Sequence, residues 1–164
     1  MKMIGNMWVQ LLLLVALSSL CAVSSGGSGR PFYIRGRVYC DTCRCGFETN
    51  KTTYIPRAKV RIECEDRKTS QLKYSVAGKT DKTGTFIIKV EEDHKDEICY
   101  ASLVGSPLSN CRTADPGRSR SQVILTRDNG AISDLHFANS LGFLRDQPLA
   151  GCAELVHELL YSDL

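Results

Sequence analysis

Between residues 58 and 65 apolar and charged side chains alternate without a break. Ala58, Val60, Ile62 and Cys64 fall on one side; Lys59, Arg61, Glu63 and Glu65 fall on the other. Successive side chains of an extended strand point to opposite faces, so this stretch covers a core as a strand and not as a helix. The same period recurs where Phe32, Ile34, Val38 and Cys40 interleave with Tyr33, Arg35, Arg37 and Tyr39, and where Phe86, Ile88 and Val90 mark the inward side of 85–90. Residues 74–80, 98–104, 122–126 and 133–138 bring the expected strands to about seven. Asp81-Lys82-Thr83-Gly84 has turn chemistry, and Asp128-Asn129-Gly130 predicts a hairpin between the last two strands. Cys152, Leu155, Val156, Leu159 and Leu160 recur at three and four, which predicts a short helix over 151–161. Leu141, Phe143 and Leu144 precede it in what reads as a linker packed on the sheets. With no crossover helices, the expected fold is all-β: an antiparallel barrel or sandwich with a short C-terminal helix.

The first residues set the compartment. Lys2, an apolar run over 8–22, and then Ala22, Ser24, Ser25 and Gly26 have the charge, core and small-residue exit of a secretory leader. The run is 15 residues long, short of the ~20 needed to span a bilayer. Residues 1–25 are therefore expected to be removed, leaving 26–164 as a single β domain in the extracellular space, without membrane insertion. Cleavage takes away Lys2 and Cys21, so the formal charge falls from +3 to +2 and the cysteines from eight to seven. The basic stretch 112–120 also holds Asp115, Pro116 and Gly117 and reads as a solvated loop, so no nucleic-acid partner is expected.

Cys40, Cys43 and Cys45 fall within six residues. Such a cluster suits a metal cradle, a redox pair or a disulfide framework. A zinc site needs a second ligand pair at similar spacing, and His94, His136 and His157 stand alone in the sequence. A reactive pair needs a helix N-terminus or a cation to lower a thiol pKa, and here a strand-like run precedes the cluster. An oxidising compartment favours disulfides, although spacing leaves their connectivity open.

Gly36-Arg37-Val38-Tyr39-Cys40-Asp41-Thr42-Cys43-Arg44, with Gly46-Phe47, Ile55-Pro56, the Asp93-His94 to Cys99 segment and the Leu141-Gly142-Phe143 to Cys152-Ala153 segment, resembles the olive major pollen allergen (Ole e I-like) family of plant secreted proteins. The resemblance implies a secreted plant glycoprotein, often expressed in pollen, with an antiparallel β fold. It also implies three disulfides: Cys40 with Cys111, Cys43 with Cys152, and Cys64 with Cys99. Cys45 stands where the family usually has a small residue, and is left unpaired or open to an intermolecular or shuffled bond. Arg35 replaces a position usually Glu, Gln or Thr; on the wet face it changes surface charge and not the fold.

Asn50-Lys51-Thr52 is a glycosylation sequon in a polar loop. No nucleophile, base and orienting group come together in the sequence, so no catalytic residue, cofactor or metal is assigned. Asp41 reads as the acceptor of an Asx-turn, and Asp81 as the opening residue of a hairpin turn and not a calcium ligand. The expected function is non-enzymatic recognition or signalling, through an extracellular protein such as a receptor ectodomain or through a wall component, in pollen hydration, germination or tube growth. The alternatives are a structural cell-wall protein, against which the few prolines argue, and an extracellular enzyme inhibitor.

Overall fold

The computed structural model describes residues 30–161; the leader, its cleavage and Cys21 lie outside the described residues. Ten strands and one helix follow in chain order: β1 (Phe32–Asp41), β2 (Thr53–Tyr54), β3 (Lys59–Asp66), β4 (Leu72–Lys79), β5 (Thr85–Val90), β6 (Glu97–Gly105), β7 (Thr113–Ala114), β8 (Arg120–Val123), β9 (Leu135–Phe137), β10 (Leu141–Leu144) and α1 (Cys152–Tyr161). One sheet runs β4-β3-β6-β8; the other is built on β1 and holds β2, β5, β7, β9 and β10. The two do not close into a barrel; they pack as a sandwich.

Strand β1 organises its sheet. Its first half pairs antiparallel with β5, from Phe32 opposite Val90 to Arg37 opposite Thr85, and parallel with β9. Its second half pairs antiparallel with β2 and parallel with β10. The expected antiparallel plan therefore carries two parallel pairings. On this flank Tyr33 faces Leu135, while Val38 faces Leu141. Five residues along β1 thus span six on the partner, and the extra residue makes a bulge over 138–140.

The alternation read from the sequence matches burial. Phe32, Ile34, Val38, Phe86, Ile88 and Val90 from one sheet meet Val60, Ile62, Cys64, Cys99, Ala101 and Val123 from the other. Gly36 lets the Phe86 ring approach β1 closely, because a Cβ there would stand 2.4 Å from the ring tip. Each buried Val, Ile or Phe side chain is worth roughly 1.5–3 kcal/mol.

Three expectations need correction. The hairpin at Asp128-Asn129-Gly130 does not form. Asn129 accepts from the Ala131 N–H and Gly130 has φ +76°, so the local turn is present. The strands around it nonetheless part: β8 joins β6 in one sheet, and β9 joins β1 in the other. Arg127, bonded to Asp134 at 2.8 Å with its guanidinium over the Phe32 ring, ties the connection to the body. Second, Leu141 and Phe143 are not linker residues; they form β10 and are buried beside β1. Third, α1 buries Cys152 and Leu155, whereas Leu159 and Leu160 are exposed. The helix is bridged to the body at its first residue and runs outward from there.

The Asp81-Gly84 turn also joins strands of different sheets. Asp81 Oδ1 accepts from the N–H groups of Thr83 and Thr85 and from the Thr83 hydroxyl. Those bonds, led by the hydroxyl, hold its carboxyl below the usual value of 3.8. Gly84 has φ +74°, and a Cβ there would lie 2.6 Å from Tyr54 Cβ and 3.0 Å from the Ile55 nitrogen. Gly84→Ala combines a left-handed backbone penalty with overpacking and is expected to cost about 2–4 kcal/mol. Urea titration of the oxidised protein would register this as a lower midpoint with an unchanged slope.

Candidate functional site

The end of β1 leads into the cysteine cluster, and Asp41 organises it. Its carboxylate is buried and accepts from the Cys43 N–H at 3.1 Å and the Gly46 N–H at 2.7 Å. The first bond is the Asx-turn read from the sequence; the second closes the loop. Gly46 and Arg44 both have positive φ, and the Arg44 guanidinium donates to the Arg145 carbonyl at 2.7 Å. Cys40 and Cys43 face opposite ways. Cys40 joins the main core and is bridged to Cys111, while Cys43 is bridged to Cys152 in a small second cluster with Leu155. Cys64 and Cys99, directly opposite each other on β3 and β6, form the third bridge.

Cys45 is the free cysteine among the described residues. It packs against the second cluster, half-buried, with its sulfur 3.6 Å from the Phe47 carbonyl oxygen and 3.7 Å from Asp41 Oδ1. Burial, reinforced by the neighbouring carboxylate, pushes its thiol pKa up. The thiol is thus kept protonated and is a poor nucleophile beside the bridge it touches.

Asn50 is exposed at a tight turn in which the Thr52 N–H donates to the Thr49 carbonyl at 3.1 Å. The Thr52 hydroxyl accepts from the Thr49 N–H, so the sequon is presented on an ordered loop.

The broadest candidate surface is the outer side of β1, β5 and β9. Two cross-strand rows lie there: Ile87, Arg35 and Phe137 in one, and Lys89, Tyr33 and Leu135 in the next. Phe137 is 69% and Ile87 62% exposed. Arg37, next on the same side of β1, lays its guanidinium 3.3 Å from the centre of the Tyr54 ring. Tyr39 follows on that side and is buried, because Gly142 leaves room for its ring. Burial pushes the Tyr39 hydroxyl pKa up to about 12. Over Tyr39 lies a cleft of about 560 Å³ lined by Phe47, Glu48, Arg118, Asn139 and Ser140. The bulge over 138–140 supplies part of its wall, so an irregularity in parallel pairing opens a polar cleft at the end of an apolar, cationic face. No alternation rule reveals that bulge.

The histidines behave differently from one another. His157 is exposed on α1, its ring 4.6 Å from that of Tyr161. His136 lies edge-on to Phe32 at 5.2 Å, and its Nε2 is buried without a hydrogen-bond partner among the described residues. His94 does not stand alone, contrary to the sequence reading. Its Nδ1 is 2.8 Å from Glu97 Oε2, its ring packs on Tyr74 at 4.7 Å, and its Nε2 is also buried without a partner. Cys64 and Cys99 are close by. Among the described residues no helix is long and apolar enough to cross a membrane.

Asp41→Ala removes the acceptor of two backbone N–H groups, one of them fully enclosed. The expected loss is about 3 kcal/mol, since hydrogen bonds to charged groups contribute about 1.5–3 kcal/mol each. Asp41→Asn keeps one acceptor oxygen and should lose about half as much, measured by denaturant unfolding with the disulfides intact.

Residues 30–160 match the family described as "Pollen protein Ole e 1 like". Protein DOWNSTREAM OF FLC from Arabidopsis thaliana is 54% identical over 127 residues, 77% of each chain. Pollen-specific protein C13 from Zea mays is 44% identical over 151 residues, covering 92% of this chain and 88% of the relative. The crystal structure of the major plantain pollen allergen Pla l 1 superposes with a TM-score of 0.67 at 25% identity, over 75% of this chain and 100% of that one. None of the three is named as an enzyme. The chain belongs to the Ole e 1-like family of pollen proteins.

Proposed function

We propose that the protein is a secreted, glycosylated recognition module. It acts by contact with an extracellular protein such as a receptor ectodomain, in pollen hydration, germination or tube growth. The observation that carries this reading is the outer face of β1, β5 and β9, where Tyr33, Ile87, Leu135 and Phe137 lie exposed on hydrogen-bonded strands. Exposed apolar side chains gathered in one patch mark interaction surfaces, whereas single ones are ordinary. Arg35, Arg37 and Lys89 set cations among them, which suits a partner presenting acidic and apolar side chains together. Aromatic and arginine side chains are also the ones enriched where interfaces concentrate their binding energy. The pollen association rests on the names of relatives, and secretion rests on the leader chemistry and the three bridges.

Tagged mature protein used as bait on pollen-surface and apoplastic extracts should retain a receptor ectodomain. Phe137→Asp with Arg35→Glu should weaken that retention at least tenfold, a loss of about 1.4 kcal/mol or more. Leu72→Asp, on the far edge of the other sheet, should leave it unchanged. Retention of polysaccharide alone would support a wall role, and capture of a protease would support an inhibitor. Separately, Asn50→Gln should remove one glycan from the plant-secreted protein, read as a mass decrease equal to that released by glycosidase from the natural sequence.

A further inference from the structure

The geometry points to a second use for the Cys64–Cys99 pair: once reduced, it forms with His94, whose imidazole Glu97 holds in place, a binding site for zinc or a similar thiophilic divalent cation. Both sulfurs, a ring nitrogen of His94 and a carboxylate oxygen of Glu97 lie within 4.8 Å of one another. In a tetrahedral zinc site two thiolate sulfurs sit about 3.8 Å apart, with the metal about 2.3 Å from sulfur and about 2.0 Å from nitrogen or oxygen. The set is already gathered to that scale.

Three further features favour a cation. The His94 side chain is 3% exposed, and its Nε2 has no hydrogen-bond partner. A buried imidazole nitrogen without a partner carries a desolvation cost that metal coordination would relieve. The other ring nitrogen is held by Glu97, the carboxylate–histidine arrangement that orients metal-binding imidazoles. An approach exists as well. Asp93, Asp96, Glu97 and Asp128, with Lys95, line an open cleft of about 350 Å³ that reaches His94. Behind it a cavity of about 30 Å³ touches His94, Glu97 and Cys99. Arg67 borders the same cavity and offsets the negative charge that Glu97 keeps beside a divalent ion neutralised by two thiolates.

Reduction need not scatter the ligands. Cys64 and Cys99 are cross-strand partners in the middle of an eight-pair β3–β6 ladder, so the strands keep the sulfurs adjacent without the covalent bond. The chemistry balances. A dithiol supplies two electrons and two protons, the Cys64–Cys99 bond breaks to two thiols, and the dithiol closes to its own disulfide. Zinc then displaces both thiol protons while His94 binds as neutral imidazole. Disulfide and metal exclude each other, so the site is open only to the reduced chain.

The test uses the full mature chain, reduced with dithiothreitol, freed of reductant under argon and titrated with cobalt(II) or zinc chloride alone. The expected result is one ion per chain, with the thiolate-to-cobalt charge-transfer band of a two-sulfur site. His94→Gln and Glu97→Gln should each weaken binding at least tenfold. These residues are remote in sequence from the Cys40–Cys45 cluster. Binding that survives both substitutions would place the metal on that cluster and overturn the proposal, as would equal binding by the oxidised chain. As a second measurement, bound zinc should slow reoxidation of Cys64 and Cys99, read by differential alkylation and peptide mass spectrometry. A reduced chain that takes up no metal, or that gains no such protection, also overturns it.

Discussion

Strand β1 is the constraint on which the structure depends. It is hydrogen-bonded on both edges, to β5 and then β2 along one and to β9 and then β10 along the other. Those partners come from four separate parts of the chain, so β1 is what joins them in one sheet. Its inward side supplies Phe32, Ile34 and Val38 to the core, its outward side supplies Tyr33, Arg35 and Arg37 to the exposed face, and its end with the turn that follows anchors two bridges, through Cys40 and Cys43. The three disulfides close loops with sequence separations of 71, 109 and 35. A chain-entropy account assigns each roughly 4–5 kcal/mol taken alone, with less in combination because the loops overlap. The gain is largest where pairing is most non-local, and that is where β1 needs it.

Local chemistry was legible; long-range choice of partner was not. The alternation of 58–65 and 85–90 predicted which side chains are buried, because one face of each strand is dry. The turns at Asp81-Gly84 and Asp128-Gly130 also form as their residues dictate. What the turn residues cannot convey is whether the strands they connect stay in one sheet. Asp128-Asn129-Gly130 serves a crossing between sheets equally well, and the Arg127–Asp134 bond, between residues seven apart, gave no periodic signal. Strands of two to four residues, such as β2, β7 and β10, are too short for a period to show; β2 and β10 exist because β1 offers them unpaired edges, and β7 because β10 does.

The sites divide the same way. The Asp41 turn, the sequon at Asn50 and the exposure of Arg35 follow from short stretches and were open to reading. The cleft over Tyr39 arises from one extra residue in a parallel pairing, and the approach of His94 to Cys64 arises from the β3–β6 register. His94 and Glu97 fall three apart in a charged stretch that reads as solvated, yet the hydrogen bond from the His94 N–H to the Leu125 carbonyl draws the loop inward. A polar run near a strand end is therefore weak evidence of a wet side chain when the backbone has a partner across the sandwich.

The exposed face and the His94 cluster occupy different sheets and draw on different physics. The face lies on the outer side of the β1 sheet, where substitutions change surface chemistry at little cost to the core. The cluster straddles β3 and β6 with its sulfurs buried, so any change there is felt through packing. Substitutions at Arg35, Ile87 and Phe137 can therefore change the face without disturbing Cys64, His94, Glu97 and Cys99. Arg35 itself fits this division: it sets a cation on the face, and its backbone keeps the pairing with Ile87.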